Sequence, residues 1–170
     1  MPGKPARLFL TGFSASGKTT FGRRWARRLE VPFLDTDEWI ARETGMTPHQ
    51  WIVARGEAAF RQVETEAIER LLQERGPMII ALGGGSITIP GMIEKLSRAG
   101  WLLWIDPPWS WLVQRLQEKP RPLQLGRPPN EWHSLWQQRR PYYRQSDLHW
   151  PPHLISESSI FSWVQRQLSQ

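Results

Sequence analysis

The sequence predicts one α/β domain over residues 1–170, a five-stranded parallel sheet flanked by helices. Three observations lead there. Apolar runs of strand length alternate with longer stretches of helical period, the pattern of a parallel sheet covered on its faces. A glycine-rich loop sits between the first such run and the first helical stretch. The length of 170 residues suits one domain of ordinary size and leaves no room for a two-enzyme fusion.

In chain order, the first strand spans Arg7 to Thr11, where Leu8-Phe9-Leu10 runs into the glycine-rich turn, and the first helix spans Lys18 to Leu29. A short strand over Pro32 to Leu34 leads to helices over Asp37 to Thr44, Pro48 to Arg55 and Glu57 to Glu74. Thr47-Pro48 marks the start of the middle helix, since a hydroxyl can cap it and proline fits its first position. Met78 to Leu82 is the third strand, followed by a helix over Gly91 to Arg98; Trp101 to Ile105 is the fourth, followed by a helix over Trp109 to Gln117. Glu118 to Asn130 is rich in proline and charge and has little apolar periodicity. With no second domain to link, it is expected to be a mobile functional loop. A helix over Glu131 to Arg144, a weaker strand around Leu148 to Ile155 and a helix over Ser158 to Leu168, capped by Ser158, complete the chain.

Composition narrows the function. The absence of cysteine removes disulfides, thiolate zinc sites and cysteine nucleophiles. No apolar run approaches the ~18 residues of a membrane span. Leu8-Phe9-Leu10 is too short for a signal-peptide core, so a cytoplasmic location is expected. Tryptophan (11) outnumbers phenylalanine (6), which suggests that some Trp side chains line a surface pocket. The net charge of +6 is concentrated at the start: residues 1–30 hold seven Lys or Arg against the single acid Glu30. Arg23/Arg27 and Arg24/Arg28 are i,i+4 pairs on one helix, better read as a solvated face than as a nucleic-acid patch.

The chemistry is carried by three segments. Gly12-Phe13-Ser14-Ala15-Ser16-Gly17-Lys18-Thr19 fits G-x-x-x-x-G-K-[ST] in the strand-to-helix context that a phosphate-binding loop requires. Its backbone N–H groups and helix N-terminus suit a polyphosphate, Lys18 the β- and γ-phosphates, and the Thr19 hydroxyl a magnesium ion. Asp35-Thr36-Asp37 ends the second strand and so opens on the same sheet edge as this loop. One acid there can support Mg²⁺ and the other can accept a proton from an attacking hydroxyl, while either can instead cap the next helix. Gly83-Gly84-Gly85 reaches the same edge after the third strand, as a tight turn or as a place where a group must approach the main chain closely.

Further pieces fall in order behind these: Gly56-Glu57 with Phe60-Arg61 and Glu64, Arg121-Pro122-Leu123, and Arg139 with Pro141 and Tyr143-Arg144. Together, from Leu8 to about Leu148, they resemble the shikimate kinase family. The resemblance implies a P-loop kinase fold of the nucleoside-monophosphate-kinase type with a mobile lid at about 118–130. It also implies Mg²⁺-dependent transfer of the ATP γ-phosphate to shikimate, giving shikimate 3-phosphate in aromatic amino-acid biosynthesis, by a cytoplasmic monomer. Lys18, Asp37 and the lid arginine Arg121 would be catalytic. Gly12, Ser14 to Thr20, Arg115 and Arg121 would bind nucleotide, with Arg115 near adenine, and Thr19 and Asp35 would serve the metal. Arg61 and Arg139 would hold the shikimate carboxylate beside the Gly83-Gly84-Gly85 backbone, Asp37 the ring hydroxyls, and Glu64 would orient an arginine. The chain departs from the family pattern at Gln124 after Leu123, and at Ile52, where an aromatic residue often walls the pocket and Trp51 adjoins. His153 to Ser159 lacks the arginine that the family carries in its adenine loop. Other readings of the same residues are a kinase for another small hydroxy acid such as gluconate, and a non-catalytic module holding nucleic acid on its basic first helix.

Overall fold

Side chains on successive strand residues point to opposite faces, and this alternation sorts the core into two layers. In the computed structural model, which describes residues 4–119 and 128–169, the strands are β1 (Arg7–Thr11), β2 (Phe33–Asp35), β3 (Met78–Ala81), β4 (Trp101–Ile105) and β5 (Leu148–Trp150). All pair in parallel, in the order β2-β3-β1-β4-β5. The helices are α1 (Lys18–Leu29), α2 (Thr36–Thr44), α3 (Pro48–Arg55), α4 (Glu57–Leu71), α5 (Met92–Ala99), α6 (Trp109–Glu118), α7 (Pro129–Tyr143) and α8 (Glu157–Leu168), with a 3-10 turn at Ser86–Thr88.

Leu8, Leu10, Ile79, Leu103, Ile105 and Trp150 face α1 and α8, meeting Trp25, Ala26, Ile160, Phe161 and Val164. Phe9, Ile80, Leu82, Leu102 and Trp104 face the other way, onto Ile68, Leu71, Met92, Leu96, Leu112 and Tyr143 from α4 to α7. A third, smaller cluster of Ile40, Phe60 and Ala67 joins α2 to α4. Trp25 and Trp150 are fully buried, their ring centroids 5.4 Å apart.

Several boundaries differ from the sequence expectation. Pro151 and Pro152 have no N–H to donate, and β5 stops at Trp150 rather than running to Ile155. The last helix is capped by Ser156, whose hydroxyl accepts from Ser159 N–H at 3.3 Å, not by Ser158. Thr47 caps α3 as expected, in a reciprocal capping box with Gln50. The basic face of α1 spends its charge locally: Arg23 pairs with Glu38 at 2.5 Å, Arg24 with Glu157 at 2.5 Å, and Arg28 lies 3.6 Å over Phe161. Among the described residues no helix is long and apolar enough to cross a membrane.

Candidate active site

All five strands point their carboxyl ends the same way, so the loops after β1, β2 and β3 meet at one edge. After β1 the chain turns into α1 with Gly17 (φ 103°) at the N-cap, where no side chain bonds the first-turn amides. The helix therefore presents its N–H donors and its positive end to the cleft. Lys18 Nζ donates to the carbonyl oxygens of Gly12 at 2.7 Å and Phe13 at 2.9 Å. Arg115, reaching from α6, donates to the Ala15 carbonyl at 3.2 Å.

At the end of β2, Asp35 serves two purposes at once. Its Oδ1 caps α2 by accepting from the N–H groups of Asp37 (3.0 Å) and Glu38 (3.3 Å), and its Oδ2 accepts from Thr19 Oγ1 at 2.5 Å. One oxygen of this carboxylate thus caps the helix, while the other is tied to the Thr19 hydroxyl. Asp37, in the first turn of α2, lines the cleft with its pKa raised from 3.8 to about 7. Burial is the largest cause; the neighbouring charges of Glu64 and Asp35 add to it, and Lys18 and Arg61 offset only part.

Glu64 is completely buried; it accepts from Arg61 Nη1 at 2.5 Å and from the Ser86 hydroxyl. Glu57 holds Arg61 Nη2 at 3.1 Å. Burial alone would lower the Arg61 pKa, but Glu64 and Glu57 outweigh it and leave it above its ordinary value. Two of the three glycines now have a steric reason. A Cβ at Gly83 would lie 2.5 Å from Glu64 Oε1 and 2.9 Å from Asp37 Oδ1; one at Gly85 would overlap the Arg61 guanidinium. None of the three has positive φ, so close approach, not backbone freedom, is what favours glycine at 83 and 85; at Gly84 a Cβ would meet Ser14 N at 3.3 Å and Arg139 Nη1 at 3.4 Å, close to ordinary contact.

These groups line a cleft of about 910 Å³ whose wall includes Ser14, Ala15, Gly17, Lys18, Thr19, Thr20, Asp35, Asp37, Arg61, Gly83, Gly84, Gly85 and Arg115. Three expected residues are not on that wall. Gly12 and Ser16, within the loop, are buried. Arg139 is 4% exposed and sits behind Gly84, 5.7 Å over the Phe13 ring, with Nη1 lacking a hydrogen-bond partner among the described residues. Arg121 and most of the 118–130 segment, with Pro122, Leu123 and Gln124, fall outside the described residues.

No tryptophan lines the cleft: Trp25, Trp104, Trp132 and Trp150 are buried, and most of the others pack against the core clusters. The wide sheet absorbs them. Trp51, whose Nε1 donates to Thr44 Oγ1 at 3.0 Å, is not on the cleft wall; the aromatic rings there are Phe21 and Phe60. Sequence reasoning missed the tie from the Tyr143 hydroxyl to the Gly84 carbonyl (2.5 Å). Burial raises that phenol's pKa to about 12, so it stays a donor. It also missed the Ser86–Glu64 contact, since a lone serine in a 3-10 turn carries no pattern.

The family model for shikimate kinase matches residues 14–168. The chain belongs to the shikimate kinase family. Curated shikimate kinases resemble it over most of their length: the one from Synechococcus elongatus is 38% identical over 143 residues, covering 83% of this chain and 74% of the relative. That from Moorella thermoacetica is 35% identical over 146 residues, covering 85% and 84%. Among solved structures, the shikimate kinase from Acinetobacter baumannii in complex with shikimate superposes with a TM-score of 0.82 at 30% identity, covering 97% of this chain and 92% of that one. The fold is thus the P-loop kinase fold of nucleoside-monophosphate-kinase type, and as a shikimate kinase the chain is an ATP-dependent transferase that phosphorylates shikimate.

Proposed function

We propose that this cleft transfers the γ-phosphate of ATP to the 3-hydroxyl of shikimate with Asp37 as the general base. The observation that carries the reading is the position of Asp37: a carboxylate with its pKa near 7, between the phosphate loop on one side and the Arg61 guanidinium on the other. A base poised there accepts the hydroxyl proton as the oxygen attacks phosphorus. Arg61, held by Glu57 and Glu64, and Arg139, with its unpartnered Nη1, supply the forks that a carboxylate needs. Lys18 and the α1 N-terminus hold the phosphates, Arg115 lies on the nucleotide side, and Arg121 meets the transferring group from the lid.

The residues present fit a magnesium ion. Thr19 Oγ1 and Asp35 offer oxygen donors beside the phosphate loop, which suits an ion held mainly by phosphate oxygens and water. When bound, the ion neutralises charge on the β- and γ-phosphates. A single-domain monomer acting in the cytoplasm completes the proposal.

An ADP-release assay across shikimate, quinate, gluconate and no acceptor tests it. Shikimate is expected to give the highest kcat/KM, and gluconate turning over faster would overturn the acceptor assignment. Arg61→Lys keeps the charge but loses the fork, so shikimate KM is expected to rise about tenfold or more while ATP KM stays within about twofold. Equal loss for both substrates would place Arg61 at the nucleotide or in the fold.

A further inference from the structure

We propose that Asp106 and Arg140 form a clamp that fixes the roll of α7 and so aims Arg139 at the substrate; both are positioning residues. The inference rests on the reading of Arg139 as a carboxylate ligand. Asp106 follows β4 and is anchored by its own N–H, which donates to the Trp150 carbonyl at 2.8 Å. Its carboxylate accepts both ends of the Arg140 fork, Nη1 on Oδ1 at 2.9 Å and Nη2 on Oδ2 at 3.1 Å. His149 Nε2, from β5, lies 2.9 Å from Oδ2. The Arg140 guanidinium also lies over two indole rings, Trp104 at 4.9 Å and Trp136 at 4.5 Å, and Trp104 in turn stacks on His149 at 4.2 Å. A bidentate pair between side chains 10% and 23% exposed, seated on aromatic rings, is unlike the exposed single contacts that contribute little.

The clamp acts where α7 is weakest. Pro141 lies inside the helix and has no N–H to return to the carbonyl of Gln137. Just before that gap stands Arg139, whose guanidinium meets the Phe13 ring and the Tyr143 hydroxyl. Successive helix residues diverge by about 100°. Fixing Arg140 against the end of β4 therefore sets the direction in which Arg139 leaves the helix, and the Tyr143 contact with Gly84 gives a second tie one turn on.

The test compares Asp106→Asn, Arg140→Met and Arg140→Lys in shikimate and ATP titrations with thermal melts alongside. Lysine keeps charge and length without the fork, so it carries the test if the others fold poorly. Each is expected to raise shikimate KM on the order of tenfold, with ATP KM within about twofold, because a displaced carboxylate ligand affects one substrate. In an Arg139→Ala background, adding Asp106→Asn is expected to change shikimate KM no further. Additive losses, or a parallel rise in ATP KM, would overturn the clamp in favour of a merely structural pair. If Arg139→Ala raises shikimate KM while the clamp variants do not, the clamp fails and the carboxylate reading stands. If Arg139→Ala itself leaves shikimate KM unchanged, that reading fails and takes the clamp with it.

Discussion

Asp37→Asn is expected to lower kcat by about 10²–10⁴-fold, the usual share of a positioned general base. The amide nearly matches the carboxylate in shape and keeps a hydrogen-bonding oxygen toward the substrate, so the loss reports proton acceptance more than packing. The pH profile sharpens the test. In the free enzyme kcat/KM should rise through about pH 7 as Asp37 gives up its proton, and the asparagine variant should lack that limb. Stability moves the opposite way. The folded pKa of about 7 exceeds the ordinary 3.8, so between those pH values the native protein holds a proton that the unfolded chain has released. Stability from this group is therefore present below pH 4 and falls as pH rises toward 7. The variant escapes that loss, and melting scans from pH 4 to 8 should show it gaining on the wild type as pH increases. A variant that keeps near-normal kcat and the same pH limb would assign the proton to another group.

The fold was readable because three of the strands, β1, β3 and β4, are short apolar runs with their own punctuation. Leu8 to Leu10 ends in Gly12, Ile79 to Leu82 ends in the three glycines, and Leu102 to Ile105 ends before Pro107. Boundaries slipped where the stop signal acts through hydrogen bonding: Leu71 ends α4, although helix-forming residues continue to Glu74. The phosphate loop and Asp35-Thr36-Asp37 were readable for a different reason. Their chemistry depends on backbone and side chains within one turn, so spacing along the chain is spacing in space.

The rest of the site depends on contacts across the fold, which no local pattern records. Glu64 and Ser86 are 22 residues apart, Tyr143 and Gly84 are 59, and Asp106 and Arg140 are 34. The glycine triplet shows where local reading stops: sequence gives the absence of side chains, whereas the structure names what occupies the space. Glu64 and Asp37 crowd Gly83, Arg139 stands off Gly84, and Arg61 covers Gly85. One cost of backbone entropy thereby admits Glu64, Asp37 and Arg61 to the same few ångströms of main chain.

Lys18→Met is expected to reduce kcat by about 10²–10³-fold, the scale seen when one preorganised charge or donor is removed from a transition state. Lys18 is nine-tenths buried in the loop, with Nζ fixed by the carbonyl oxygens of Gly12 and Phe13, so the ammonium is oriented before any phosphate arrives. Transfer spreads charge over the equatorial oxygens of the phosphoryl group and the leaving oxygen, and a cation beside them stabilises the transition state more than the ground state. Methionine fills most of the same volume, which preserves packing, but it leaves two carbonyl oxygens without their donor at about 1–3 kcal/mol. The melting temperature should therefore fall measurably while the circular dichroism spectrum remains that of a folded α/β protein. ATP KM should change less than kcat, since α1's N-terminal amides still hold the polyphosphate. The measurement is steady-state ADP release at saturating shikimate, with nucleotide affinity taken from a separate titration. A kcat within about tenfold of wild type would mean that another cation carries the developing charge, and the loop would then serve binding alone.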